Sequence, residues 1–211
     1  MIKKNLKTMI FTSIIILAPI VVGLFLWNQL PEQMATHFDE NGNANGWSSK
    51  AMAVFGFPVF LLAVHWFGVY FTAADPKRQN ISDKMLMLVL WLAPMVSVLG
   101  CGSTYMYAID SSINTATIGI VFAGCLLLVL GNYMPKMKQS YTIGIKIPWT
   151  LHSEENWNRT HRFAGKITMA AGIIVMIGGF LKQIWVVFIA LLFVVFFPMI
   201  YSFLLYKKEN K

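Results

Sequence analysis

Five places along the 211-residue chain hold side chains that could take part in a reaction. Glu154-Glu155-Asn156-Trp157-Asn158-Arg159 places two carboxylates ahead of a guanidinium on one helical reading, a pattern in which a carboxylate can activate water as a general base. Between the first two apolar runs, Asp39, Asn41 and Asn43 match the opening of a calcium loop, and His37 with Asp39 offers two metal ligands. His65 stands alone inside an apolar run, where an imidazole is able to relay protons. Cys101 and Cys125 are the only thiols.

Each of these chemistries lacks a part. The calcium pattern fails at Ala44, where the sharp turn wants Gly, and at Lys50, where the bidentate Glu belongs. Two ligands are too few for a transition-metal site, so no metal is expected. The 29–50 loop instead reads as a compact turn reversed by Asn-Gly chemistry, with Trp47 anchoring at an interface. His37, Asp39 and Trp47 are its candidate binding residues. His65 has no intramembrane carboxylate to exchange protons with, and a neutral imidazole bonded to a neighbouring carbonyl is the expectation. Both cysteines sit in apolar runs, where burial disfavours the thiolate, and read as small packing residues. No HExxH, GxSxG or Walker-type loop is present. The Glu-Glu string is similar to the EExxxR string of CAAX-type intramembrane proteases, which complete their site with histidines on later helices. No histidine follows His161. An acidic helix start explains the same residues, so neither enzymatic activity nor a cofactor is expected.

The elements that must position these residues are membrane spans. Hydrophobic residues make up 57% of the chain and charged ones 12%, and the mean hydropathy is +0.61. A soluble domain has about 25% charged residues. Here the charges cluster between apolar runs of about 20 residues, the length that crosses a bilayer as helix. That composition excludes a soluble enzyme, a secreted disulfide scaffold and a disordered tail. The expected fold is all-α and polytopic, with spans at 8–28, 51–73, 85–109, 114–134, 163–181 and 183–206. Residues 1–73 read as a two-helix module with an extracellular loop at 29–50. Residues 74–211 read as a four-helix part with a cytoplasmic loop at 135–162. The first run ends in Leu24-Phe25-Leu26-Trp27, a poor cleavage site, so it reads as an uncleaved anchor.

The net charge of +8 is a matter of topology. With the N-terminus inside, fifteen of the 17 Lys and Arg fall in cytoplasmic segments, leaving Lys50 and Lys182 outside. The positive-inside rule therefore places both termini in the cytoplasm. No loop is long enough to fold alone, so direct nucleic-acid binding is not expected.

Gly165, Gly172 and Gly179 recur at heptad spacing in the fifth span, beside Thr168, and Gly124 and Gly131 do so in the fourth. Small residues let helices approach closely in lipid. These faces suit contacts inside one bundle, with a homo-oligomer seam as the alternative. Pro19, Pro58, Pro94 and Pro198 each withdraw a backbone donor from a span. In the cytoplasmic loop, Gly144 and Pro148 predict extended chain. Ser153 then caps a helix that runs from about 154 into the fifth span, with Glu154 and Glu155 at its positive end. Trp157 and His161 share one face of it, with Asn158 and Arg162 beside them.

At these two loops the chain resembles the SdpI family of immunity proteins against sporulation-delaying toxin peptides. The residues that carry the resemblance are Gly131-Asn132, Lys136, Lys138, Gly144-Ile145, Pro148-Trp149-Thr150-Leu151, Trp157, Thr160-His161-Arg162 and Gly165. The chain departs from the family pattern with Lys146 for Arg, Ile147 for Thr and Ser140 for Asn. Lysine keeps the charge at 146 but loses bidentate hydrogen bonding. Leu30-Pro31, His37-Phe38, Gly42, Gly46-Trp47 and Lys50 resemble a short module of unknown function common at the start of that family, with Ala35 where proline is frequent. The resemblance implies a multi-pass protein of a bacterial cytoplasmic membrane that confers resistance to a membrane-active peptide. It also implies a second role, holding a small autorepressor at the membrane. Lys136, Lys138, Lys146, Pro148, Trp149, Thr150, Trp157, His161 and Arg162 are the candidates for cytoplasmic docking or structural coupling. Partners implied are the lipid bilayer, a toxin peptide and the autorepressor. The competing function class is a small transporter or channel for a peptide or hydrophobic compound.

The charge distribution makes a direct topological prediction. In a variant lacking both native cysteines, Ser48→Cys reacts with a membrane-impermeant maleimide in intact cells, whereas Lys138→Cys reacts only after permeabilisation. The reverse labelling pattern overturns the assignment.

Overall fold

The computed structural model describes residues 2–39 and 43–209. Asn41 and Gly42, part of the calcium-like and Asn-Gly readings, lie outside the described residues, as does Lys211. Six helices are long and apolar enough to cross a membrane: Lys4–Phe25, Met52–Ala74, Asp83–Ile109, Thr115–Lys136, Glu154–Phe180 and Ile184–Glu209. The elements are α1 (Ile2–Phe25), β1 (Gln33–Phe38), β2 (Ala44–Ser49), a π turn (Met52–Gly56), α2 (Phe57–Ala74), α3 (Asp83–Ile109), α4 (Thr115–Tyr133), α5 (Pro148–His152), α6 (Glu154–Phe180) and α7 (Ile184–Glu209). They form two compact units, Met1–Ala73 with Leu86–Gly119, and Ala74–Met85 with Ile120–Lys211.

In the first unit, α1, α2 and α3 satisfy one another's polar groups where no water is at hand. Pro19 lies inside α1 and offers no amide. Around it, the Ser97 hydroxyl donates to the Ile16 carbonyl (2.7 Å) and the Tyr105 hydroxyl to the Pro19 carbonyl (3.2 Å). Gly23 makes room nearby: a Cβ there would sit 2.7 Å from Val54 and 2.9 Å from the Tyr105 oxygen. Leu30, Met34, Ala53, Val54, Cys101 and Tyr105 form one core, and Met9, Val69, Leu86 and Leu90 another. His65 is not bonded to a carbonyl. Its Nε2 lies 3.2 Å from the Thr12 hydroxyl, whose own proton goes to the α1 carbonyls of Thr8 and Met9. The imidazole is therefore the donor, and an interhelical hydroxyl replaces the local carbonyl because that is the acceptor α1 presents. Pro58 does interrupt the second span: helical backbone runs from Met52 to Ala74, and the π turn Met52–Gly56 lies directly ahead of the proline, the local irregularity that such a break produces.

The 29–50 segment is a hairpin and not merely a turn. β1 and β2 pair antiparallel, with irregular register about His37. Met34 is buried in the first core, and Ala35 next to it in β1 is buried as well. Lys50, expected to be an outer-loop cation, is buried at the foot of β2. Its Nζ lies 2.9 Å from Glu32 Oε1, donates to the Trp27 carbonyl at 3.2 Å and sits over the Trp27 ring. The strands carry no strand signature in the sequence, because Gln, Thr, Asn and Ser replace the alternation of apolar residues that marks a half-buried strand.

In the second unit, the glycine faces are spent inside the chain. A Cβ on Gly124 would lie 2.8 Å from the Gly172 carbonyl, and one on Gly172 would lie 2.8 Å from the Gly124 carbonyl. Gly131 and Gly165 repeat the arrangement one step along, at 2.8 and 2.7 Å. Two heptad stripes thus bring α4 and α6 backbone to backbone. α7 returns along α6, with Ala171, Val175 and Ala190 between them. The polar part of that contact is Asn156, fully buried, which donates to the Ser202 carbonyl (3.0 Å) and accepts from the Ser202 and Thr160 hydroxyls (2.6 and 3.1 Å). Cys101 is buried, whereas Cys125 is exposed.

Gly172→Leu is expected to lower stability by about 1–3 kcal/mol or more, because the obstacle is backbone and cannot turn aside. Thermal unfolding of the full chain in detergent measures it. Gly102→Ala, with nothing within 4 Å of its added carbon, is the control that holds the wild-type Tm.

Candidate functional site

The loop between α4 and α6 is held from below by two stacked rings. α6 begins as expected at the Ser153 cap, whose hydroxyl accepts from the Asn156 amide at 3.1 Å. One turn later Trp157 is fully buried, and its ring stacks on that of His161 at 4.0 Å between centroids. Trp157 Nε1 donates to the Met137 carbonyl at 2.8 Å. The Ile145 amide donates to His161 Nε2 at 2.9 Å, while His161 Nδ1 lies 2.8 Å from the Trp157 carbonyl. With Nε2 accepting, the proton resides on Nδ1 and the imidazole is neutral with both nitrogens engaged. Gly144 crosses the ring pair at φ +117°. A Cβ there would fall 2.6 Å from His161 Nε2 and 2.7 Å from the indole. Glycine is required both for that dihedral and for that approach.

Gly144 and Pro148 both predict extended chain here. Instead Pro148 opens a one-turn helix, α5, using the position where proline's fixed φ suits a helix and its missing amide is not needed. Thr150, buried in that turn, accepts from the Ile147 amide (3.1 Å) and donates to the Ile145 carbonyl (2.7 Å). Trp149 is half-buried and rests its ring on Phe203 and Tyr206 of α7.

A second clamp comes from the segment after α2, and no sequence signal singled it out. Asp75 is 2% exposed and accepts four hydrogen bonds. They come from the amides of Lys77 (2.7 Å), Tyr141 and Thr142 (2.9 Å each) and from the Thr142 hydroxyl (2.7 Å). Burial raises its pKa, but the Thr142 hydroxyl and the three amides outweigh burial and hold it below the ordinary carboxylate value. Beside it, Gln139 donates to the Thr150 and Leu151 carbonyls (2.7 and 2.9 Å) and accepts from Lys77 Nζ. Asn80 donates to the Gln139 carbonyl at 2.8 Å. Asp75 and Gln139 are ordinary loop residues in the sequence. The faint signal was an acidic residue placed directly after a span, in a segment otherwise basic.

The nine loop candidates thus divide. Thr150, Trp157 and His161 are buried and act on the loop's own backbone. Lys136, Lys138, Lys146, Pro148 and Arg162 are exposed. Lys136 lies over the Tyr133 ring and Lys146 donates to the Thr142 carbonyl. Glu154 and Glu155 are exposed at the start of α6, and Glu155 pairs with Arg159 at 3.3 Å. In the hairpin, His37 is exposed and bonds Asn45. Asp39 closes the turn by accepting the Asn43 amide at 2.8 Å. Trp47 is 57% exposed on β2.

This anchored loop, with α6 and most of α7, is the stretch that comparison with known proteins singles out. Residues 136–202 match the model of the SdpI/YfhL protein family. Ahead of it, residues 14–62 match a domain of unknown function, DUF1648, which takes in the hairpin. Immunity protein SdpI of Bacillus subtilis (strain 168) is 24% identical over 213 residues, covering 97% of this chain and 99% of the relative. No solved structure matches. The matched stretch opens at Lys136 and closes at Ser202. It therefore contains the ring pair, Gly144, α5 and both partners of the Asn156–Ser202 contact.

Two outcomes follow from this geometry. Trp157→Phe strips the Met137 carbonyl of its buried donor and costs about 1–3 kcal/mol in thermal unfolding. Asp75, with its pKa depressed, contributes stability that is present above about pH 4 and is lost as the pH falls through the lower folded value. Hydrogen exchange at the Tyr141 and Thr142 amides accordingly accelerates in Asp75→Asn at neutral pH, and in the wild type only in acid.

Proposed function

We propose that this chain is an immunity protein of a bacterial cytoplasmic membrane that protects its host from a membrane-active peptide. The observation that carries the reading is the near full-length similarity to immunity protein SdpI, on a chain with six helices able to span a bilayer. In this reading both termini are cytoplasmic, the hairpin faces outward and the ring-anchored loop faces inward. The protein is not an enzyme. Its polar residues are consumed in holding backbone, and the acidic string of α6 serves as a helix start and an exposed ion pair. The hairpin offers the peptide an exposed indole at Trp47 and a polar rim at His37 and Asp39. On the inner side, Lys136, Lys138, Lys146 and Arg162 present the accessible charge for docking a small repressor, while Trp157 and His161 keep the loop that displays it rigid.

Expression in a sensitive bacterium, with survival measured against sporulation-delaying-type peptides, tests the reading. The wild type protects. Trp47→Ala weakens peptide binding by roughly tenfold or more, as removal of an exposed aromatic anchor does, and lowers survival at equal membrane levels. Lys138→Gln with Lys146→Gln leaves survival unchanged and releases the repressor. A wild type that fails against a panel of such peptides rejects the immunity function.

A further inference from the structure

α6 carries one exposed stripe whose chemistry changes along its length. It begins with Glu155 and Arg159, continues through Arg162 and Lys166, and is wholly apolar from Met169 through Ile173 and Ile177. Arg159 is neutralised by Glu155. Arg162 and Lys166 have no ion-pair partner among the described residues, and they are the stripe's uncompensated charge.

Their depth is the informative part. Lys182 follows α6 at its far end. At 1.5 Å per residue, Lys182 lies about 30 Å of helix from Arg162 but only about 24 Å from Lys166. The hydrocarbon layer is about 30 Å thick. If α6 stands upright with Lys182 at one boundary, Arg162 marks the other boundary and Lys166 starts about 6 Å inside the hydrocarbon. A lysine at that depth keeps its ammonium out of the apolar layer by snorkelling. Helical side chains lean toward the N-terminus, which here is toward Arg162. The two cationic heads are thereby led to one level, one turn apart on the same face. α7 agrees with this: packed along α6, it also ends in exposed lysines, Lys207 and Lys208, at that end of the unit.

We infer that Arg162 and Lys166 form a clamp for the phosphate of an anionic phospholipid seated against the apolar face of α6. A lipid satisfies both halves of the stripe, since its headgroup meets the cations and its acyl chains lie on Met169, Ile173 and Ile177. Guanidinium and ammonium together suit a phosphate, the first by its fork and the second as a point charge.

Native mass spectrometry of the full chain in detergent, with phosphatidylglycerol or phosphatidylcholine added, tests the clamp. Phosphatidylglycerol is expected to be retained preferentially. Arg162→Gln and Lys166→Gln each weaken that retention about fivefold, and the double variant about thirtyfold, the effect of removing one or two cations at a membrane surface. Arg159→Gln, whose charge is already paired, and Lys182→Gln, at the far end, leave it unchanged. The conservative pair Arg162→Lys with Lys166→Arg retains the preference, which separates charge from folding, and circular dichroism checks helicity throughout. Equal retention of both lipids overturns the clamp, as does an equal loss in Arg159→Gln. Thermal stabilisation by inorganic phosphate alone, matching that by phosphatidylglycerol, overturns the lipid as its occupant.

Discussion

Within lipid and within a packed core, a backbone or side-chain polar group has no water to turn to, and the chain must supply every partner itself. Most of this structure is a solution to that constraint. In the first unit, Ser97 and Tyr105 of α3 reach the carbonyls around Pro19 of α1, and Thr12 receives His65. In the second, Asn156 spends its amide on Ser202 and Thr160. Glycine solves the complementary problem of distance. Where α4 and α6 touch, the contact is made by backbone, and side chains larger than hydrogen are excluded at Gly124, Gly131, Gly165 and Gly172.

The stretch matched by the SdpI/YfhL model follows the same logic. A loop with little regular structure keeps its shape because two aromatic rings and one carboxylate take up its backbone groups from beneath. Trp157 and His161 hold Met137 and Ile145, and Asp75 holds Tyr141 and Thr142. None of these partners is a catalyst in waiting. The indole donates once, the imidazole has both nitrogens engaged, and the carboxylate is saturated with donors. Such saturation costs chemistry but gives rigidity, and the exposed cations of the same loop are carried on that rigid frame.

Cationic side chains play different parts in the two units. Lys50, outside the spans, is buried between a carboxylate, a carbonyl and an indole, and so fixes the base of the hairpin. Arg162 and Lys166 are exposed and have no ion-pair partner among the described residues, which leaves their charge available to the surroundings. Burial and pairing, not residue type, separate structural cations from interacting ones.

The sequence by itself determined the six spans, the α6 start at Ser153, the shared face of Trp157 and His161, and the family resemblance. Hydropathy over about 20 residues, a capping hydroxyl and helical periodicity all act locally, so each is legible along the chain. Only the tertiary structure decided what the polar residues do. That Asp75 grips residues 141 and 142, that Gln139 joins Lys77 to α5, and that His65 bonds Thr12 are facts about neighbours far apart in the chain. The hairpin was hidden for a related reason: its strands are polar and short, and only pairing with each other and packing of Met34 on a core make them strands. A residue's type sets what bonds it can make, whereas packing sets which partner comes within reach, and the second is not written in local order.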